Sequence, residues 1–138
     1  MSPKAPLHRF RAPTGITLAL AWASLMFLYI YNDYFSMYLP GVITNMSSGR
    51  MGPLGPATPR VLVGVSILLA IPALMILLSV ALPAPASRSL NIVFGVTYTI
   101  VEVLTFLGPE LFYRIVVALE IALTLFIVWC ALRWPRQT

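Results

Sequence analysis

Cysteine, histidine and acidic residues are nearly missing from this chain of 138 residues. A single cysteine, Cys130, excludes an intrachain disulfide. It also excludes the usual quinone-linked disulfide chemistry of membranes, which needs cysteine pairs. Cys130 stands among Val128, Trp129, Ala131 and Leu132 and reads as a small buried hydrophobe. The only histidine, His8, lies outside every apolar stretch, so a bis-histidine haem or a histidine metal cluster within a membrane is excluded. There is no Gly-rich phosphate loop, no paired metal ligands and no nucleophile–histidine pair. No cofactor or metal is expected, and an enzyme is the weaker reading.

Charge is scarce as well. Charged residues make up 9% of the chain and hydrophobic ones 59%, a balance too apolar for a soluble domain. The formal charge is +5, but the basic residues are spread singly or in small groups at the ends of apolar runs. A nucleic-acid surface would gather them in a stripe or patch, so no nucleic-acid partner is expected. Arg dominates over Lys, and Ala, Pro and Val are abundant, which suggests a bacterial source.

What is present is a set of long apolar runs. They predict an all-α membrane protein, a single domain over 1–138 with four transmembrane helices in an up-down bundle. The spans are expected at about 14–38, 60–82, 90–107 and 111–134, each close to the roughly 20 residues a bilayer requires. Leu39-Pro40-Gly41, Pro83-Ala84-Pro85 and Gly108-Pro109-Glu110 punctuate the runs. The first run is too long for a signal peptide, and its small-residue cleavage candidates fall too early, so it reads as a retained span. Lys4, Arg9, Arg11, Arg88, Arg133 and Arg136 fall on one side of this arrangement, with Arg50, Arg60 and Arg114 on the other. The excess places both termini in the cytoplasm of a bacterium, with the protein multi-pass in its inner membrane. The linker 84–89 and the turn near 108–110 are short enough to make the last three helices antiparallel neighbours. The outer loop 39–59, rich in Gly and Pro, reads either as a cap over the bundle or as a plain flexible connection.

The four acids are Asp33, Glu102, Glu110 and Glu120. Glu110 marks a helix boundary. The other three lie within or at the edge of apolar runs, where a charge costs about 2.5–3.5 kcal/mol on insertion scales and so marks a site or a packing contact. Helical rise puts Asp33 and Glu102 each roughly 8 Å from the outer end of its run. Arg114 enters the last run near the same height, and Glu120 falls deeper. Asp33, Glu102 and Arg114 are therefore expected to share a layer. Helical spacing lines up Asn91, Gly95, Tyr98 and Glu102 on the third span, and Tyr113, Val117, Glu120 and Thr124 on the fourth. The first span gives Trp22, Met26, Tyr29, Asp33 and Ser36, and the second gives Gly64, Leu68, Pro72, Met75 and Ser79. The candidate pocket is thus Asp33, Glu102, Glu120, Arg114, Tyr29, Tyr98, Asn91 and Thr124. A plainer reading stands beside it: Glu102 and Glu120 as structural struts, with Arg114 paired to Glu110 four residues away.

Tyr31-Asn32-Asp33 with Pro40-Gly41, Ile71-Pro72 through Met75 and Leu78-Ser79, Arg88 with Asn91-Ile92 and Gly95, and Glu120-Ile121 with Trp129 form a pattern that carries a family likeness. It resembles a family of small uncharacterised bacterial four-helix membrane proteins, a domain of unknown function, over most of the chain from Ala21 to Trp134. That resemblance implies no activity. A looser likeness to DoxX-like and sterol-isomerase-like four-helix proteins rests on helix number and acid placement alone. Three functions stay open. The first is a polar intramembrane pocket that binds a small or lipid-like ligand or passes a proton or ion. The second is a structural or assembly subunit of a larger membrane complex. The third is an isomerase-type enzyme using paired carboxyls. Expected partners are membrane lipids and further copies of the chain or other subunits.

Overall fold

The computed structural model describes residues 1–136; positions 137 and 138, the end of the expected domain, lie outside the described residues. The chain is all-helical. Four long helices, α1 (Thr14–Ser36), α3 (Pro59–Ala81), α4 (Ala84–Thr105) and α5 (Leu111–Leu132), carry the bundle, and a short α2 (Val42–Ser47) lies in the loop after α1. Proline sets several of the starts. Pro13 precedes α1, Pro59 opens α3 and Pro85 sits in the first turn of α4, positions where a missing N–H costs nothing. Thr58 adds a cap, its Oγ1 accepting the Val61 N–H at 3.3 Å.

The helices pack in the cyclic order α1, α3, α4, α5, with α1 and α4 touching little across the diagonal. Tyr29 meets Glu102 and Trp22 meets Asn91, so α1 and α4 run the same way. Asn91 beside Ser79 and Tyr98 beside Leu68 show α3 antiparallel to α4. Two glycines allow close approach. A Cβ on Gly95 would stand 2.7 Å from Val128 Cγ2 on α5, and one on Gly15 would stand 2.8 Å from the Ser79 carbonyl oxygen on α3.

Burial inverts the pattern of a water-soluble bundle. Asn32, Ser79, Ser87, Asn91, Glu102, Glu120 and Thr124 are buried, while large aliphatic and aromatic side chains such as Leu20, Phe27, Ile67, Leu77, Leu104 and Leu119 cover the outside. So large an apolar exterior is stable only in an apolar medium or against a partner. By length and composition, α1, α3 and α5 are long and apolar enough to cross a membrane. Helix α4 is as long as α5 but carries Ser87, Asn91, Tyr98 and Glu102 on its buried face.

Two expectations about connections change. The stretch 84–89, expected as a linker, is helical, and only Leu82 and Pro83 join α3 to α4. The cause is that Pro83 precedes the helix and Pro85 sits in its first turn, so neither breaks a bond. The 39–59 segment is not without structure. Gly41 (φ 82°) turns the chain into α2, a 3-10 turn follows at Gly52–Leu54, and Arg50 bridges to Pro56. The Met51 N–H donates to the Gly55 carbonyl at 2.8 Å, and the Ala57 N–H to the Gly49 carbonyl at 2.7 Å.

Pro72 lies inside α3 and is buried. It has no N–H to give the carbonyl four residues back, so the Leu68 oxygen loses its helical partner. The Tyr98 hydroxyl of α4 donates to that oxygen instead. The N-terminal half of α3 also stands off: Gly64 and Leu68 are exposed, against the buried Pro72, Met75 and Ser79 of the same expected face. A cleft is left there between α3 and the other three helices.

Candidate functional site

The cleft is a cavity of about 150 Å3 walled by Tyr29, Asn32 and Asp33 of α1, Leu68 and Leu69 of α3, Tyr98, Val101, Glu102 and Thr105 of α4, and Tyr113 and Glu120 of α5. A space of that size holds a molecule of about benzene's dimensions. Three acids line it, and no Lys, Arg or His does.

Glu102 is 2% exposed, and both its oxygens accept hydrogen bonds. The Tyr29 hydroxyl donates to Oε1 at 2.6 Å, and the Thr124 hydroxyl donates to Oε2 at 2.7 Å. One carboxyl thus ties three helices together. Glu120 is 3% exposed and differs in kind: among the described residues its Oε1 has no partner. Asn32, Asp33 and Glu102 line the same cavity with it. Asn32 itself is 5% exposed, and its Oδ1 is also without a partner. A buried acceptor left in this state carries a desolvation penalty of about 1–3 kcal/mol. Two such atoms border one cavity.

The structure brings Tyr29, Glu102, Glu120, Thr124 and Tyr98 together. Asp33 lies at the rim, exposed, where it also borders a second, outer hollow of about 660 Å3 lined by Met37, Met46, Met51 and Arg50. Asn91 belongs elsewhere, toward the opposite end of the bundle. Its Oδ1 accepts from Trp22 Nε1 at 2.7 Å, its Nδ2 donates to the Ser87 carbonyl at 2.8 Å, and the Ser87 hydroxyl donates to the Ser79 carbonyl at 2.9 Å. These bonds join α1, α3 and α4 in a satisfied structural knot.

Arg114 does not share the layer expected for it. Glu102 is bonded to Thr124, ten residues further along α5, or roughly 15 Å of helical rise. Arg114 is exposed, and its Nε donates to the Gly108 carbonyl at 2.6 Å, closing the turn before α5. Among the described residues it forms no ion pair with Glu110. Glu120, expected deeper, lines the same cavity as Glu102 and Asp33, and Arg114 does not. The residue that the spacing overlooks is Asn32. The buried stripe of α1 runs Leu18, Ala21, Trp22, Leu25 and Asn32. From Tyr29 a step of three reaches Asn32 and a step of four reaches Asp33, and the positions of Leu18 and Leu25 select the former.

Among the described residues no group of three or more His, Cys, Asp or Glu side chains is arranged to hold a metal ion. The arrangement can hold a cation or a hydrogen-bond donor, or relay a proton between two carboxyls bordered by hydroxyls. No curated protein and no solved structure matches the chain. A family model described as a family of unknown function (DUF6326) matches residues 10–138, nearly the whole sequence, and the chain belongs to that family.

Proposed function

We propose that this protein crosses a bacterial inner membrane four times, with α4 as the fourth span and both termini in the cytoplasm, and that the acid-lined cavity in the outer half of the bundle binds a small molecule or passes a proton or ion. The distribution of Lys and Arg supports the orientation. A polar face turned inward supports α4 as a span despite its composition. The observation that carries the site is the burial of Glu102 and Glu120, from two helices, around a cavity with two unpartnered acceptors and no basic residue. Lipid covers the apolar exterior. Four helices enclose too narrow a path for transport, so transport would draw on further copies of the chain.

A second reading, an assembly subunit, has one observation in its favour: Glu102 spends both oxygens on Tyr29 and Thr124 and can serve as a strut. Native mass spectrometry of the purified chain separates the two. Wild type is compared with the Glu102→Gln, Glu120→Gln double variant. Loss of a co-purified ligand from a folded double variant supports the pocket. An unchanged ligand profile together with weakened oligomers supports assembly.

A further inference from the structure

We propose that the ligand of this cavity is a small organic ammonium ion, a primary or secondary amine in its protonated form on a compact apolar body. The inference rests on the pocket reading above and names its ligand class.

Charge comes first. The wall holds Asp33, Glu102 and Glu120 and no basic side chain; Arg50 lines the separate outer hollow, and the Arg114 Nε donates to the Gly108 carbonyl. A cation is therefore the complementary guest. Hydrogen bonding narrows it. Asn32 Oδ1 and Glu120 Oε1 are both acceptors, both buried and both without a donor. A primary ammonium carries three N–H donors and a secondary one two, enough to serve both atoms. A quaternary ammonium carries none and leaves both unpaired.

The walls narrow it further. An inorganic ion seeks a shell of several oxygens, and the described residues offer no metal-holding cluster. The lining instead supplies the rings of Tyr29, Tyr98 and Tyr113 with Leu68, Leu69 and Val101. Aromatic faces attract an ammonium and the aliphatic side chains cover an apolar body. The volume of about 150 Å3 limits that body to roughly one six-membered ring. Asp33 borders both this cavity and the outer hollow, whose wall also carries Arg50.

The test uses the full chain purified in detergent and reads its thermal unfolding against added benzylammonium chloride. Matched arms contain benzyl alcohol, benzyltrimethylammonium chloride, sodium benzoate and sodium chloride. Benzylammonium is expected to raise the midpoint saturably, with the other four giving little. Its apparent affinity should fall about tenfold to a hundredfold in Glu120→Gln, the scale of a lost charge-assisted hydrogen bond. Asn32→Leu should also weaken it, and Glu110→Gln, outside the cavity, should not. An equal shift from benzyl alcohol would overturn the ammonium assignment and leave the pocket standing. A shift from sodium chloride alone would replace the organic ion with an inorganic one. If no probe acts on wild type, the ammonium assignment falls. If in addition the double variant keeps the wild-type profile of co-purified ligand, the pocket falls with it. The comparison among probes on wild type holds even where a variant does not fold.

Discussion

Replacing Tyr98 with Phe tests how α3 tolerates a proline in its interior. The substitution keeps the ring, which packs edge-on against Trp22 with centroids 6.0 Å apart, and removes only the hydroxyl that serves the Leu68 carbonyl. That carbonyl then loses its hydrogen bond, since Pro72 offers no N–H to replace it. A lost hydrogen bond with an orphaned acceptor costs about 1–3 kcal/mol in water-soluble proteins. Interhelical bonds measured within membranes average about 0.6 and reach about 1.7 kcal/mol. About 1–2 kcal/mol is expected here. The decisive comparison is a double-mutant cycle with Pro72→Ala, which restores an N–H at position 72 for the Leu68 oxygen. Tyr98→Phe should then cost much less in the Pro72→Ala background, with a coupling of about 0.6 kcal/mol or more. Reversible unfolding of the four proteins in mixed micelles supplies the numbers. The same loss in both backgrounds would refute the idea that the tyrosine replaces the proline's missing bond.

Two further substitutions follow from the packing. Asn91→Leu leaves the buried Trp22 N–H without the acceptor that Asn91 gave it, while the Ser87 carbonyl keeps the helical N–H of position 91, so it should destabilise by about 1–3 kcal/mol. Unfolding in mixed micelles measures it, and a neutral result would mean that the knot is dispensable. Gly95→Val drives a side chain into Val128 and should cost about 1–3 kcal/mol by overpacking, whereas Gly64→Val meets nothing within 4 Å and should be nearly neutral. Equal effects at the two glycines would contradict the close contact of α4 with α5.

Much of this arrangement is legible from periodicity because polar residues are rare in the chain. Asn91, Gly95, Tyr98 and Glu102 stand out on α4 at helical spacing, and all four are buried. Val117, Glu120 and Thr124 do the same for α5. Periodicity fixes a face but not a height. The start of an apolar run is a poor guide to the height of Arg114, because Glu102 pairs with Thr124, well inside α5, and not with a residue of its first turn. Spacing also leaves a choice of three or four residues at each turn, so it cannot by itself separate Asn32 from Asp33. The face of α3 holds only in its second half. The opening at Gly64 and Leu68 depends on Pro72 and on how a neighbouring helix answers it, which no single-helix pattern contains. Likewise the turns at Gly41, Gly49, Gly52 and Gly55 need positive φ, a property that composition hints at without giving the path of the loop.

The central claim is that Asn32 of α1 and Glu120 of α5 stand side by side on the wall of one interior cavity. Pairwise cysteine cross-linking in a Cys130→Ser background addresses it directly. Asn32→Cys with Glu120→Cys should form an intramolecular disulfide under mild oxidation, read as the loss of two free thiols at unchanged chain number. Asn32→Cys with Leu119→Cys should not, because Leu119 is 52% exposed on the outer face of α5. Efficient cross-linking of the 32–119 pair, with none for 32–120, would rotate α5 away from the cavity and dissolve the site.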